Sequence, residues 1–429
     1  MARKMKDSGI EWIGEIPEGW EITRLKYLAD FEPTCDTSYL TDESKITYTP
    51  MECVKNGDFE NRSALYGNLS HTLTPFQNGD IAMAKVTPCF ENGNIAIMNN
   101  LFSGFGLGSS ELFIFRPKSI STRYLFYWLQ NKAFVARACS TMTGTGGLKR
   151  ISPSFIRNCP VHCPSMDEQT KISDYLKEKC SEIDTMLSKT RSSIEEYKKL
   201  KQAVITQAVT NGVRGEREMK DSGVEWIGKI PKEWGISRIK YVSIFEPSCD
   251  FRKLTSETII TYSPMECIKN GTFERRTSLY GNLAHTLTPF QDGDIVMAKV
   301  TPCFENGNIA IMNELQSGYG LGSSELFVFR PQNINTRYLF YWLQNKLFVC
   351  QACATMTGTG GLKRISPSFV KNCNIHYPTA AEQAEIADYL DAKCAEIDKL
   401  IAKKEQLVKE LESYKKSLIY EVVTGKREV

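Results

Sequence analysis

The chain is written twice. Residue i matches residue i + 214 from Met5 almost to the C-terminus, with no gap needed. MKDSGIEWIGEIP at Met5 returns as MKDSGVEWIGKIP at Met219, and MAKVTPCFENGNIAIMN at Met83 returns unchanged at Met297. Between Ile46 and Asn158 roughly 90 of 113 positions are identical to their partners, far more than a shared architecture requires. Two long copies are not a solenoid, which stacks more and shorter units. They predict two equivalent modules, which suits a chain of 429 residues with 41% hydrophobic content and room for two to four packed cores.

Each module has two parts. The first reads as a mixed α/β globule. Short apolar runs such as Asp80–Val86 and Glu111–Phe115 predict buried strands bounded by Gly, Pro and Asn. Thr122–Cys139 predicts helix, with Thr as its start signal. The second part predicts a long helix. Ser165 with Glu168, after Pro164, and Thr379 with Glu382, after Pro378, are capping-box pairs. A 4-3 spacing follows: Leu176, Cys180, Ile183, Leu187, Thr190, Ile194, Tyr197, Lys201, Val204, Ala208. The second copy gives Leu390, Cys394, Ile397, Ile401, Lys404, Val408, Leu411, Lys415, Leu418, Val422. Such alternation marks a coiled-coil seam, and about 40 residues at 1.5 Å each reach about 60 Å. Gly212 and Gly425 are the stop signals. Packing of each helix on its own globule alone is the plainer alternative, but it usually shows a wider apolar face. The matched seams predict an antiparallel pair holding the globules apart about a pseudo-two-fold axis.

Bulk properties narrow the class only a little. A net charge of +3 is too small to announce nucleic acid. Fourteen cysteines scattered through the chain are expected to be reduced thiols of a cytoplasmic protein rather than a disulfide framework. No apolar stretch of about eighteen residues suggests a membrane span, and MARKMKDSGIEW has no secretory h-region.

The order globule, helix, globule, helix resembles the specificity subunit of type I restriction-modification systems. The motifs that carry the resemblance are IEWIGEIPEGWEI at Ile10 and its copy at Val224, MAKVTPCFENGN at Met83 and Met297, and TGTGGLKRISPSF at Thr143 and Thr357. EQxxIxDYL at Glu168 and Glu382 and the tail SLIYEVVTGK ending at Lys426 complete the set. The resemblance implies target recognition domains at residues 1–165 and 215–379 and spacer helices at 166–214 and 380–429. Each domain would read half of a bipartite double-stranded DNA site. The helices would set the separation and dock two methyltransferase subunits, with ATP-dependent motor-nuclease subunits in the full complex. S-adenosylmethionine, ATP and Mg are expected on those partners and no cofactor on this chain. Two nearly identical readers predict an interrupted inverted repeat, since a two-fold protein mirrors a two-fold site.

Base edges are read by donors and acceptors while cations grip phosphates. On that chemistry Lys85, Thr87, Asn92 and Asn94 are candidates, with Lys299, Thr301, Asn306 and Asn308 in the second copy. The glycine-rich segment adds Thr145, Lys149 and Arg150, repeated as Thr359, Lys363 and Arg364, because glycines admit close approach to a phosphate. Ordinary turns account for the same compositions. Arg62, Tyr66, Arg276 and Tyr280 fit solvated surface better than DNA. Leu176, Ile183, Leu187, Ile194, Leu390, Ile397, Ile401 and Leu411 are the seam candidates.

Catalysis is not expected. Thr87-Pro88-Cys89 resembles a Pro-Cys nucleophile, but SGFGLGSS at Ser103, the one glycine-rich candidate for a cofactor loop, runs into a strand rather than a helix. No N-P-P-Y, D-P-P-Y or G-x-x-x-x-G-K-S/T motif occurs. Cys159, His162 and Cys163 sit close together, but the second copy has Cys373, His376 and Tyr377, and Cys350-x-x-Cys353 matches Ala136 and Cys139. Neither copy assembles four zinc ligands. A coiled-coil scaffold binding only protein, or a specificity subunit of a related methyltransferase system without motor subunits, remains open.

Overall fold

Alternating apolar runs and two 4-3 seams translate into short strands and two very long helices in the computed structural model, which describes residues 3–55, 57–70, 72–145, 147–269, 271–284, 286–358 and 362–429. The chain divides into two compact units, Met1–Arg191 with Gln406–Val429, and Ser192–Glu405. Each unit therefore contains one globule, the N-terminal half of the helix that follows it, and the C-terminal half of the other copy's helix.

In the first unit an antiparallel sheet has the order Ile95–Ile97, Ile81–Ala84, Leu112–Pro117, Ala29–Phe31. Its central strands are buried on both faces, which is why Ile81–Ala84 and Leu112–Phe115 read as continuous apolar runs. A second sheet has the order Arg62–Leu65, Lys45–Thr49, Phe105–Gly108, Thr74–Gln77, and Lys45–Thr49 pairs in parallel with Phe105–Gly108. Pro75 lies in an edge strand of this sheet, where a missing N–H breaks no ladder. The glycines of SGFGLGSS serve this sheet: a Cβ on Gly106 would stand 2.3 Å from the Phe76 ring. The segment expected to be helical breaks into Thr122–Trp128 and Lys132–Ser140. Asn131 starts the second piece by accepting from the Phe134 N–H at 2.9 Å, an N-cap in mid-segment. The second unit repeats both sheets and both helices at matching positions.

The long helices span Met166–Asn211 and Ala380–Val423. Ser165 Oγ accepts from the Glu168 N–H at 3.3 Å, and Thr379 Oγ1 from the Glu382 N–H at 3.4 Å. The returning half of each expected capping box is absent: the Glu168 carboxylate takes Trp20 Nε1–H at 2.9 Å and Arg3, and Glu382 takes Arg217 at 2.6 Å. These glutamates tie the first residues of each globule to the start of the helix that follows it. Both helices end on glycines in the left-handed region, Gly212 at φ +79° and Gly425 at φ +70°, the usual Cβ-free stop.

Within each unit the helices run antiparallel. In the first, Lys415 Nζ bonds both Asp184 oxygens at 2.7 Å and Arg191 meets Glu412. In the second, Lys201 bonds Asp398 at 2.7 and 2.8 Å, and the Lys404 ammonium lies over the Tyr197 ring. Leu176, Cys180, Ile183 and Leu187 share one core with Leu418, Ile419, Val422, Trp20, Trp128 and Phe134. Ile205, Ala208, Val209, Leu390 and Cys394 do the same in the second unit. Tyr124 Oη donates to His162 O and Val423 O, and Tyr338 Oη to His376 O and Val209 O. Each globule thus grips the C-terminal turn of the other copy's helix.

Candidate nucleic-acid interface

The two segments singled out as DNA-contact candidates are neighbours in space. After the buried strand Ile81–Ala84 the chain continues through Lys85, whose N–H donates to Glu111 O and whose carbonyl accepts from Ile151 N–H, each at 3.0 Å. Val86 bridges to Arg150, and Thr87 N–H donates to Lys149 O at 3.0 Å. Thr143 and Arg150 exchange both backbone bonds, closing the glycine-rich loop. The Thr87 hydroxyl locks it: Oγ1 donates to Gly147 O at 3.0 Å and accepts from Lys149 N–H at 2.9 Å. Gly144 is required here, because a Cβ would stand 2.2 Å from Leu148 O. Thr87 is therefore a loop-holding residue first and a candidate DNA contact second.

The charged side chains differ in freedom. Arg150 forms a fork with the Glu111 carboxylate at 2.7 and 3.1 Å, which holds that carboxyl below its ordinary range. Lys85 is half-buried, its ammonium 5.5 Å from the Phe113 ring centroid. Lys149 and Thr145 are exposed, and Lys149 joins no ion pair among the described residues. Asn92 is exposed and Asn94 half-buried, on a turn closed by Asn92 N–H to Pro88 O and Asn94 N–H to Cys89 O. The arrangement presents one free ammonium, one amide and one hydroxyl beside a neutralised guanidinium. Such a surface can grip a phosphate and reach a base edge.

The second unit repeats it. Lys299 lies 5.6 Å from the Phe327 centroid, Thr301 Oγ1 accepts from Lys363 N–H at 3.0 Å, and Arg364 forks onto Glu325 at 2.6 and 2.9 Å. Lys363 and Asn306 are exposed and Asn308 is half-buried; Thr359 lies outside the described residues. Sequence reasoning missed Glu111 and Glu325, which stand 39 positions before their arginines; their only mark is identity between the copies. Arg62 is held by Glu60 at 2.8 Å and Arg276 by Glu274 at 3.0 Å. Tyr66 packs edge-on against Phe105, and Tyr280 is tilted against Phe251.

Of the seam residues, Leu176, Ile183, Leu187, Ile194, Leu390 and Ile397 are buried, while Ile401 and Leu411 are half-buried. Among the described residues no group of three or more His, Cys, Asp or Glu is placed to hold a metal ion. Burial pushes the Cys159 and Cys163 thiols up to about 12 and about 11 and the His162 imidazole down to about 4. His162 Nδ1 accepts from Trp128 Nε1–H at 2.9 Å, as His376 does from Trp342 at 3.0 Å. These groups belong to the core.

The profile of the type I restriction modification DNA specificity domain matches residues 17–196 and again residues 231–410. The chain belongs to this family. A specificity subunit of the Escherichia coli type I restriction enzyme EcoAI is 34% identical over 196 residues, 44% of this chain and 33% of that protein. The chain thus spans about a third of the length of such E. coli relatives, that of EcoEI included. The MjaVIII specificity subunit of Methanocaldococcus jannaschii is 24% identical over 432 residues, 96% of this chain and 93% of that one. A chain from a solved structure titled "Structural basis underlying complex assembly and conformational transition of the type I R-M system" shares the fold. Its TM-score is 0.71 at 15% identity, over 96% of this chain and 99% of the other. Mixed α/β recognition domains in two copies, each followed by a long helix, are the family's architecture as this chain carries it.

Proposed function

We propose that this chain is the DNA-sequence-reading subunit of a type I restriction-modification enzyme and binds a bipartite site of two similar, inverted half-sites. The observation that carries the reading is the doubling of one surface. Each unit presents the same exposed lysine and asparagine, Lys149 with Asn92 and Lys363 with Asn306, in a chain of the specificity family. Like readers face like bases on opposite strands when they meet DNA in two-fold fashion. The lysines grip phosphate, the asparagines offer a bidentate partner for adenine, and the glycine-rich loop allows backbone approach.

The chain acts without a catalytic centre of its own. Adenine methylation falls to two methyltransferase subunits that carry S-adenosylmethionine and dock on the long helices. Cleavage falls to motor-nuclease subunits that use ATP and Mg, and the assembly works in the cytoplasm. No helix among the described residues is long and apolar enough to cross a membrane.

Gel shifts of the purified chain with its methyltransferase partner test the reading. Sequence-selective binding that weakens steeply with salt is the expected result. A complex that assembles yet ignores DNA would make the chain a protein scaffold instead.

A further inference from the structure

The two copies differ densely over one exposed stretch of the globule. From Thr37 to Lys45 only Leu40, Thr41 and Glu43 keep their identity in the second copy. The scaffold beneath is nevertheless the same. Arg116, paired with buried Asp80, bonds Thr34 O and Cys35 Sγ; Arg330, paired with Asp294, bonds Ser248 O and Cys249 Sγ. Thr41 N–H donates to Ser44 Oγ at 2.8 Å and Thr255 N–H to Thr258 Oγ1 at 2.9 Å. Ser103 Oγ donates to Lys45 O and Ser317 Oγ to Ile259 O, both at 2.9 Å. The backbone is held alike while the outward side chains change, which is how a reading loop is varied on a fixed frame.

The change has a sign. Exposed Ser38 and Tyr39 become Arg252 and Lys253, and Asp42 becomes Ser256. At the far end of the strand, Asn61 becomes Arg275, which pairs with Glu314 at 2.6 Å and adds no net charge. Two gained cations and one lost acid outweigh the loss of Lys45 to Ile259. The second patch is thus more positive by two charges. Arg252 holds Asp250 but keeps 89% of its side chain exposed.

The location points to DNA. Strand Lys45–Thr49 begins at this patch, and its other end, through Thr49 O and Ser109, borders the Glu111–Arg150 pair. The five residues of that strand span about 13 Å, roughly four base-pair steps along a duplex, between the two regions.

We infer that the Asp250–Ile259 loop is a second DNA contact surface, which engages phosphates beside the bases read by the invariant cluster. The two half-sites are therefore read alike but held unequally, the Ser192–Glu405 unit gripping harder. This rests on the DNA-reading function proposed above. The test uses the full chain with its methyltransferase partner on duplexes carrying the site mapped from the host genome. The double variant R252S/K253Y copies side chains already carried by the other unit, so folding is not at issue. We expect it to lower the exponent of the salt dependence by up to about two, and to shorten the hydroxyl-radical footprint on one half-site only. The reciprocal variant S38R/Y39K should lengthen the footprint on the other half-site and raise the exponent. Unchanged exponents and footprints in both would overturn the inference, as would weakened partner assembly with DNA binding intact. Failure of the unaltered complex to bind any duplex selectively would instead defeat the DNA-reading function itself.

Discussion

In the helix pair, Leu187 stands where the second copy has Ile401 and Thr190 where it has Lys404. In the glycine-loop cluster, no residue from Thr143 to Ser152 differs from its counterpart. The seam requires apolar volume at the right spacing and accepts several side chains that supply it. The cluster requires particular atoms: the Thr87 hydroxyl, the missing Cβ of Gly144, and the fork between Arg150 and Glu111. Between these two regions the copies drift where packing volume is asked and stay identical where particular atoms are asked.

The largest effects should come from the seam's buried end. Leu176 and Leu390 are fully buried in the cores that join helix to globule. Leu176→Ala or Leu390→Ala should cost about 3 kcal/mol in urea unfolding, and Thr190→Ala well under about 1 kcal/mol. Equal costs would break the distinction between volume and atoms.

Acid should act next, through His162 and His376. Burial holds both near pKa 4, below the ordinary 6.5, and both are neutral when folded. With Nδ1 accepting from a tryptophan, the ring hydrogen sits on Nε2, which is buried without a partner among the described residues. The unfolded chain takes up protons below 6.5 and the folded chain does not until about 4. Stability is thus complete above pH 6.5 and falls between 6.5 and 4, by up to about 3 kcal/mol per histidine. Urea midpoints at pH 7.5 and pH 5 check the slope, and His162→Gln should flatten it. A midpoint independent of pH would remove the histidines from the account.

The cluster itself should show smaller, more selective losses. Thr87→Val keeps the shape but removes both bonds to the loop, so DNA affinity should fall about tenfold with a stability change near 1 kcal/mol. Lys149→Ala should be milder still, a few-fold loss at physiological salt with the salt exponent lowered by about one. Should Lys149→Ala change base preference rather than salt dependence, the lysine would be a base reader and not a phosphate grip.

Much of the fold could be read before any coordinates because its signals are local. The 4-3 spacing, the stops at Gly212 and Gly425, and the buried strands around Ala82 and Ile114 each depend on neighbours within a few residues. What stayed hidden depends on distant partners. Glu168 abandons its capping bond for Trp20, 148 positions earlier. Asn131 cuts one expected helix in two because its side chain caps the second piece. The parallel pairing of Lys45–Thr49 with Phe105–Gly108 has no sequence signature. At the candidate interface the sequence named Lys85–Asn94 and Thr143–Ser152 separately. Only the fold brought them together through Val86 and Arg150 and supplied Glu111 as the arginine's partner. The 4-3 spacing gives no reason for a lysine at Lys201 or Lys415; the fold sets Asp398 and Asp184 opposite them.

The central claim is that two like reading surfaces meet two like half-sites. Long-read mapping of adenine methylation in the host genome, with this gene present and deleted, tests it directly. The account predicts an interrupted inverted repeat whose modified adenines disappear with the gene. Two unrelated half-sites, or a methylation pattern indifferent to the deletion, would contradict it.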